Sequence, residues 1–481
     1  MDEGLFTGLR RLFLRTFGKE AESILPMPVS GSARRYFRMQ SGDFSAIGVY
    51  NADSKENRAF LAFSRHFAAK GLPVPVVLAE DLAQDIYLEE DLGDETLFSY
   101  RSRSAEFTPE LKEKYRSVLQ NLLVFQTKGA EGMDASWCYP RACFDAQSIA
   151  WDLNYFKYYF LKLAQVPFDE QSLENDFQTL TKFLLQADNR FFLYRDFQSR
   201  NIMLKGDALY FIDYQGGRKG ALPYDVASLL YDGKADIPAE VRDELLECYL
   251  DRLGASGVWP VEEFRKYYPA FVLVRILQAM GSYGYRGFYE RKTHFLSSVP
   301  YALRNVAYLL EHSRWEVDFP HLRSVLLSLS ASEKLASLST EPLTLEVRSF
   351  SFRKGLPADD SGHGGGFVFD CRSLPNPGRE EAYRHLTGQH PDVIAYLERQ
   401  GSVAVYFEHV KALIENALEN YQSRKFTHLS VSFGCTGGQH RSVYFAERTA
   451  AYFQKKYPLI RVRLSHLAAG NWDIEPETTN G

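Results

Sequence analysis

Residues 191–225, FFLYRDFQSRNIMLKGDALYFIDYQGGRKGALPYD, constrain this chain more than any other stretch. Asp196 stands five residues before Asn201, and Asp213 follows twelve residues after that, closing the strand-like run 208–212. A carboxylate in the first position can take the proton of an attacking hydroxyl, while an amide oxygen and a second carboxylate can hold Mg²⁺ against nucleotide phosphates. An Asp and an Asn at this spacing recur by chance in long chains, and the plain alternative is that all three only cap turns and end a strand. The apolar strand that delivers Asp213 is what gives the set weight.

At 481 residues the chain exceeds one ordinary core, so two or three domains are expected. The formal net charge of −5 gives no global attraction to nucleic acid or to an anionic membrane. Cys138, Cys143, Cys248, Cys371 and Cys435 are odd in number and scattered, without paired CxxC spacing. That pattern argues against a disulfide framework or a zinc site and for a reducing, cytoplasmic setting. No apolar run reaches the length of a membrane span, and Arg10, Arg11 and Arg15 interrupt the apolar N-terminus, so a signal peptide is not expected.

In chain order, residues 3–17 place Leu5, Phe6, Leu9, Leu12, Phe13 and Phe17 at helical spacing; this amphipathic helix is expected to pack on its own domain rather than lie on a membrane surface. A small-residue turn with Gly31 and Ser32, followed by Arg34, Arg35 and Arg38, precedes the strand-like run 44–50. Such a turn either brings backbone N–H groups close to phosphates or forms a solvated basic hairpin. Residues 55–70 read as a helix carrying Glu56, and the strand 86–90 runs into an acidic turn containing Glu90 and Leu92, where a two-lobed kinase has its adenine-pairing hinge. Thr108 and Pro109 open a helix with Leu111, Tyr115, Val118, Leu122 and Phe125 on one face. The helix 144–163 is dense in aromatics, including Trp151, Tyr155 and Tyr159; such rings stack on sugars but more often fill cores. Further helices are expected over 239–253, 262–280 and 300–312, and a linker over 327–343. Beyond it, strands over 343–352, 367–372, 403–407 and 427–433 alternate with helices over 393–400, 410–421 and 442–456, the pattern of a small α/β domain.

The loop Tyr194-Arg195-Asp196-Phe197-Gln198-Ser199-Arg200-Asn201 resembles the H-x-D-x-x-x-x-N loop of the aminoglycoside and choline phosphotransferase superfamily. Phe211-Ile212-Asp213-Tyr214-Gln215 is similar to its D-F-Q metal motif, and Pro223-Tyr224-Asp225-Val226-Ala227 to the Y-D-x-x-S/A segment whose Asp braces the catalytic loop. Residues 1–325 as a whole carry this resemblance. Within the superfamily, Gly31 to Arg38, Leu88 to Gly93 and Arg275 to Gly281 resemble the N-acetylmuramate/N-acetylglucosamine anomeric kinases, which phosphorylate the C1 hydroxyl of an amino sugar during cell-wall recycling. The resemblance implies an α+β two-lobed protein-kinase-like domain, with an N-lobe over 1–92 and a helical C-lobe over 93–326. It implies ATP and Mg²⁺ as cofactors, Asp196 and Arg200 as catalytic residues, and Asn201 and Asp213 as metal ligands. Cofactor contacts would come from Gly31, Ser32, Arg34, Arg35, Arg38, Glu90 and Leu92. The chain departs from the family twice: Tyr194 stands in place of the loop histidine, and 45–50 lacks the phosphate-gripping lysine, for which the arginines of the 30–38 turn can substitute.

A second constellation, Gly434-Cys435-Thr436-Gly437-Gly438-Gln439-His440-Arg441-Ser442, runs from a strand into a helix. Glycines let backbone amides converge, the helix N-terminus adds partial positive charge, and Arg441 can grip two oxygens, which together describe a phosphate cradle. The same residues spell C-x5-R-S, in which Cys435 would be a phosphatase nucleophile, although Gly434 stands where such enzymes usually carry histidine. Residues 349–475 resemble the C-terminal domain of the RNase adapter RapZ through this loop and through Ser351-Phe352, Gly355-Leu356-Pro357, Phe369-Asp370-Cys371-Arg372, Leu374-Pro375-Asn376-Pro377 and Thr387-Gly388; Gly378 departs from the family histidine. The resemblance implies a small α/β domain over 344–481. It also implies a sugar-phosphate ligand such as glucosamine-6-phosphate, held by Gly434, Cys435, Thr436, Gly437, Gly438, His440, Arg441, Ser442 and Arg372. With no G-x-x-x-x-G-K-[ST] loop and an acidic stretch at 473–477, RNA binding is not expected. The expected function is therefore an ATP-dependent amino-sugar kinase with a sugar-phosphate-binding regulatory domain, compatible with a homo-oligomer. The alternatives are an inactive sugar-phosphate-sensing adaptor and a bifunctional protein with a cysteine-phosphatase-like second domain.

Overall fold

The computed structural model describes residues 2–27, 34–104, 106–336, 338, 343–358, 366–423, 426–457 and 460–472, and the chain divides into two compact units, Met1–Leu338 and Ser339–Gly481. The first is an α+β two-lobed kinase-like unit and the second a mixed unit built on a parallel sheet.

The N-lobe comprises α1 (Asp2–Phe17), β1 (Ser23–Pro26), β2 (Arg35–Ser41), β3 (Phe44–Tyr50), α2 (Ser54–Ala69), β4 (Val77–Asp81) and β5 (Ile86–Glu90). Its strands form an antiparallel sheet in the order β1-β2-β3-β5-β4. Strand alternation divides the side chains between two cores. Phe37, Met39, Ala46, Ile86 and Leu88 meet Leu9, Leu12 and Phe13 of α1, whereas Ile47, Val49 and Tyr87 join the main core with Phe60, Phe63 and Phe67 of α2. The apolar stripe of α1 is thus consumed by its own sheet, and an Arg11–Asp81 ion pair at 3.1 Å fastens the exposed side. Asp53 caps α2 by accepting from the Lys55 and Glu56 N–H groups.

The C-lobe follows as α3 (Leu97–Arg101), α4 (Pro109–Thr127), α5 (Ala146–Phe156), α6 (Glu170–Leu184), β6 (Phe191–Leu193), β7 (Ile202–Lys205), β8 (Ala208–Phe211), β9 (Arg218–Gly220), α7 (Pro223–Leu230), α8 (Ala239–Ser256), α9 (Val261–Gly284), α10 (Val299–His312), α11 (Pro320–Ser330) and α12 (Glu333–Ala336). The apolar run 270–277 of α9 is almost entirely buried, which suits a central helix surrounded on all sides. Residues 327–343 differ from the expected linker. Their first part completes α11 and forms α12, with Leu329 and Leu335 in the main core. The serine-rich composition hid a helical spacing, and Asp176 supplies the missing N-terminal cap by accepting from the Leu322 N–H at 2.7 Å.

The second unit contains β10 (Thr344–Ser351), β11 (Gly366–Asp370), α13 (Pro391–Glu398), α14 (Gly401–Ser423), β12 (His428–Cys435), α15 (Arg441–Lys456) and β13 (Arg461–His466). The sheet is parallel, in the order β11-β12-β10-β13. Two expectations are corrected. Residues 403–407 are helical, because Val403 and Phe407 continue a stripe through Val410, Ile414 and Leu418 that fills the core; five residues were too short a window to reveal it. The strand β13 was not anticipated, since its alternating arginines mark an edge strand rather than an apolar run. Among the described residues no helix is long and apolar enough to cross a membrane.

The docking of α1 is open to a direct test. Phe13→Ala removes a fully buried ring and should cost about 3–5 kcal/mol in chemical denaturation. Leu14→Ala, on the exposed side, should change stability by less than about 0.5 kcal/mol. Equal effects would mean that this helix does not pack on the sheet.

Candidate active site

The catalytic loop is built backwards from α7. Asp225, in the first turn of that helix and fully buried, accepts from the Tyr194 N–H at 2.7 Å and from the Arg195 N–H at 3.0 Å. Burial pushes its carboxyl up to about 7, against the pull of those two N–H groups. Arg195 sits at φ 82°, a left-handed conformation that costs an arginine on the order of 1–3 kcal/mol. Its guanidinium is held by Asp152 at 2.7 and 2.5 Å and by the Tyr224 hydroxyl at 2.6 Å. Asp196 follows directly, half-buried, with its carbonyl accepting from the Asn201 amide at 2.8 Å.

Asn201 and Asp213 meet because β7 and β8 form a hairpin in which Ile202 pairs with Phe211, and the Ile212 N–H bonds the Asn201 carbonyl at 3.0 Å. The Asn201 amide donates to the Asp213 carboxylate at 3.1 Å, and Gln215 donates to the other oxygen at 2.7 Å. Asp213 lies at φ 69°, a second left-handed residue at the site. Burial raises its carboxyl, and the charge of Asp196 raises it further. Two acids in each other's field with an amide between them form an oxygen donor set of the kind that holds Mg²⁺ together with phosphate oxygens. Among the described residues there is no group of three or more His, Cys, Asp or Glu that could hold a metal ion. Tyr194, in the place of the family histidine, is fully buried and donates to the Ile212 carbonyl at 2.7 Å, so it ties the catalytic loop to the strand bearing Asp213. Arg200 is exposed, bonded to Gln198 at 2.7 Å, and its charge reaches Asp213.

In the N-lobe, Gly31 and Ser32 lie outside the described residues. The three arginines after them separate. Arg34 and Arg38 share the face of β2 that carries Tyr36 toward the main core, whereas Arg35 falls on the α1 face, its guanidinium 5.3 Å from the Phe37 ring. Arg38 is bidentate to Asp91 at 2.8 and 3.1 Å and also pairs with Asp94, so it braces the turn after β5. Of the expected cofactor contacts, Arg38 is thus engaged by carboxylates of the turn and Arg35 lies on the α1 face of the sheet. Glu90 is paired with Lys205 at 2.8 Å, and its N–H bonds the Val76 carbonyl; Leu92 is buried beside that turn. Arg34 alone of the three is nearly buried and faces Glu56 of α2, 3.4 Å away.

A pocket of about 320 Å³ is lined by Pro140, Ser148, Trp151, Asp152, Tyr155, Arg195, Arg218 and Gln278, so it borders the residue before Asp196. Trp151 is 47% exposed, so the aromatic helix splits: Phe156 and Phe160 fill the core while Trp151 faces the pocket. Arg218 was not flagged by sequence. It is 6% exposed, and its described bonds go to the Gly216 carbonyl at 3.0 and 2.9 Å rather than to a carboxylate. Burial lowers its pKa, and the neighbouring Arg195 lowers it further. Its only sequence signal was a lone arginine after a double glycine, which spacing alone does not distinguish from a surface charge.

In the second unit the loop 435–440 joins the carboxyl end of β12 to α15, and Ser351 at the end of β10 lies opposite Cys435. Ser351 donates to the Thr436 carbonyl at 2.8 Å, the Trp472 indole donates to the Gly438 carbonyl at 2.9 Å, and Gly438 adopts φ 73°. Thr436 and Gly437 are exposed. Cys435 is 3% exposed; its sulfur accepts from the Gly438 N–H at 3.2 Å and lies 3.1 Å from the Ser442 hydroxyl. A side chain at Gly434 would run into the Phe350 and Phe352 rings at 2.5 and 2.4 Å, so the histidine of cysteine phosphatases has no room here. Arg441 differs from the expected phosphate grip: its guanidinium is buried and donates to the carbonyls of Arg372 and Leu374 at 2.9 and 2.8 Å. Arg372 is bidentate to Asp370 and lies 3.9 Å over the Phe352 ring. His440 meets the Tyr383 carbonyl at 2.8 Å, and burial lowers its pKa.

Residues 26–264 match the model of the Phosphotransferase enzyme family, and residues 343–469 match that of the RapZ C-terminal domain. A nucleotide-binding protein of Glaesserella parasuis is 35% identical over 36% of this chain and 62% of its own length. Another, from Thioalkalivibrio sulfidiphilus, is 41% identical over 26% of this chain and 41% of its own. The chain spans about half the length of these curated relatives. Among solved structures, a choline kinase from Cryptosporidium parvum is 12% identical with a TM-score of 0.44, over 68% of this chain and 100% of that one.

The Asp225 clamp predicts a stability signature. Asp225→Asn keeps one acceptor oxygen for two N–H donors and should cost about 1–3 kcal/mol in chemical denaturation. The folded-state pKa of Asp225 is raised, so its protonated form contributes stability that is fully present below the unfolded pKa near ~4 and is lost as pH rises through about 7. Denaturation of wild type and Asp225→Asn across that window should show a steeper pH slope in the wild type, since Glu89, raised to about 8, titrates in both, and identical slopes would remove Asp225 as a source.

Proposed function

Since this chain joins a phosphotransferase-family domain to a RapZ C-terminal domain, we propose that it is an ATP- and Mg²⁺-dependent kinase acting on the anomeric hydroxyl of an N-acetylated amino sugar, N-acetylmuramate ahead of N-acetylglucosamine. The observation that carries this reading is the pocket bordering the residue before Asp196, where an exposed Trp151 ring stands near a buried Arg218 that has no carboxylate among its described bonds. A ring face suits a sugar, and a buried guanidinium with no carboxylate bonded to it suits a carboxylate. A cationic acceptor such as choline or an aminoglycoside would meet like charge there.

In this mechanism Asp196 orients the acceptor hydroxyl and takes its proton. The hydroxyl oxygen bonds to the γ-phosphorus, the bond from that phosphorus to the β–γ bridging oxygen breaks, and ADP leaves. Mg²⁺ supplies charge neutralisation on the β- and γ-phosphates when bound, with Asn201 and Asp213 as its protein oxygens. Arg200 offers charge to the transferring group, and Arg195, clamped by Asp152 and Asp225, sets the position of Asp196. The gathering of Asp196, Asn201 and Asp213 favours this reading over an inactive adaptor.

An acceptor screen with radiolabelled ATP over N-acetylmuramate, N-acetylglucosamine, aminoglycosides and choline should yield an acid-labile sugar-1-phosphate. Asp196→Asn should lower turnover by at least ~10²-fold. Arg218→Gln should erode the preference for N-acetylmuramate by about 10-fold, the scale of a lost charged hydrogen bond. An acid-stable product, or turnover only with choline or aminoglycosides, overturns the assignment.

For the second domain the proposed role is binding an amino-sugar phosphate at the 434–442 loop without cleaving it. A nucleophilic cysteine needs access, and Cys435 is buried, while one guanidinium nitrogen of Arg441 is held by the Arg372 and Leu374 carbonyls. Glucosamine-6-phosphate at one hundred times its dissociation constant should stabilise this domain by about 2.7 kcal/mol in thermal unfolding, with no phosphate released. Phosphate release that Cys435→Ser abolishes would establish the phosphatase reading instead.

A further inference from the structure

Kinases of this general build place a lysine on the third strand of the N-lobe and pair it with a glutamate on the following helix, so that one cation grips the nucleotide phosphates. Here β3 reads Phe-Ser-Ala-Ile-Gly-Val-Tyr and carries no basic residue, yet α2 still presents Glu56. Glu56 is set in place with care. One carboxylate oxygen accepts from the Asn51 amide at 2.7 Å, and Asn51 is itself tied down by the Asn57 amide on its carbonyl at 2.7 Å. The other oxygen lies 3.4 Å from the Arg34 guanidinium.

Register explains how Arg34 reaches that position. Arg35 pairs with Tyr50, so Arg34 enters β2 opposite the exit of β3, and alternation puts it on the same face as Tyr36 and Arg38. Tyr36 pairs with Val49 and Arg38 with Ile47, so this is the face of the sheet turned to α2 and the main core. The guanidinium lies 5.7 Å from the Phe60 ring of α2. Burial opposes its charge, but the Tyr87 and Tyr36 hydroxyls, Glu56 and Asp213 outweigh that and hold it firmly protonated. Conversely, burial raises the carboxyl of Asp213 and pushes that of Glu89 up to about 8, and the charge of Arg34 offsets part of each rise. One cation therefore stands among Glu56, Glu89 and the aspartate that faces the catalytic loop.

We propose that Arg34 is the nucleotide-phosphate cation of this chain, with Glu56 as its positioning residue, so that a pair from β2 and α2 replaces the pair that β3 and its helix form elsewhere. The guanidinium fork allows this transfer, because one edge can stay on Glu56 while another faces phosphate oxygens, which a single ammonium cannot do in the same geometry. The inference rests on the kinase reading of the first domain, but not on the identity of the acceptor.

The test is nucleotide binding to the full chain, measured by calorimetry with MgATP and with adenosine, which shares the base but lacks phosphates. Arg34→Gln should weaken MgATP by at least ~10-fold while leaving adenosine unchanged, and Arg34→Lys should recover part of the loss. MgATP affinity equal to wild type in Arg34→Gln overturns the proposal. So does a parallel loss of MgATP and adenosine, which would mark Arg34 as a packing residue only. A wild-type chain that binds no MgATP would remove the kinase reading itself, whereas nucleotide binding without any phosphorylated sugar would remove only the acceptor assignment.

Discussion

The first domain depends on one buried carboxylate. Asp225 receives two consecutive N–H groups, from Tyr194 and Arg195, and so dictates the course of the chain at the point where it leaves β6. That grip allows Arg195 to remain in a left-handed conformation immediately before the half-buried Asp196. The strain at Arg195 is over-determined by bonds to its backbone, to Asp152 and to Tyr224, and Asp213 is held at a similar angle by Asn201 and Gln215. Two strained residues kept in place by several bonds each are the mark of a pre-organised site, in which geometry is set before any ligand arrives.

Tyr194 shows how a departure from a family pattern can preserve its physics. Its hydroxyl spans from the catalytic loop to the Ile212 carbonyl, one residue before Asp213, and its ring packs against Phe125, Phe197 and Tyr214. The loop and the strand that leads to Asp213 are therefore coupled by a buried aromatic rather than by an imidazole. The N-lobe follows the same logic. There the sheet face opposite Glu56 carries Arg34, brought to it by the register of β2 against β3.

In the second domain the loop after β12 is stabilised from outside. Ser351 and Trp472 hold two of its carbonyls, and Arg441 reaches away from the loop to fasten the turn at 372–374. A buried guanidinium bonded to backbone carbonyls is a structural strut, and removing the hydrogen-bonding options of such carbonyls is costly. This arrangement favours a rigid binding loop over a reactive one.

The sequence by itself determined a great deal about what is covalently local or periodic. The order Asp196, Asn201, Asp213, Asp225 lies within one stretch, and a hairpin of known length must bring the middle two together, so this part of the site was legible without coordinates. The stripe of α1, the cap of α4 at Thr108 and the strand-loop-helix at 428–456 were legible for the same reason. Only the tertiary structure decided which arginine of a closely spaced set faces Glu56, because a shift of one residue in a strand reverses the face and composition does not reveal register. It also decided that Arg441 turns to carbonyls, that 403–407 is helix, and that Arg218 is buried beside Trp151. Those outcomes depend on partners far away in the chain, and a long side chain or a short apolar run is indifferent until its neighbours are in place.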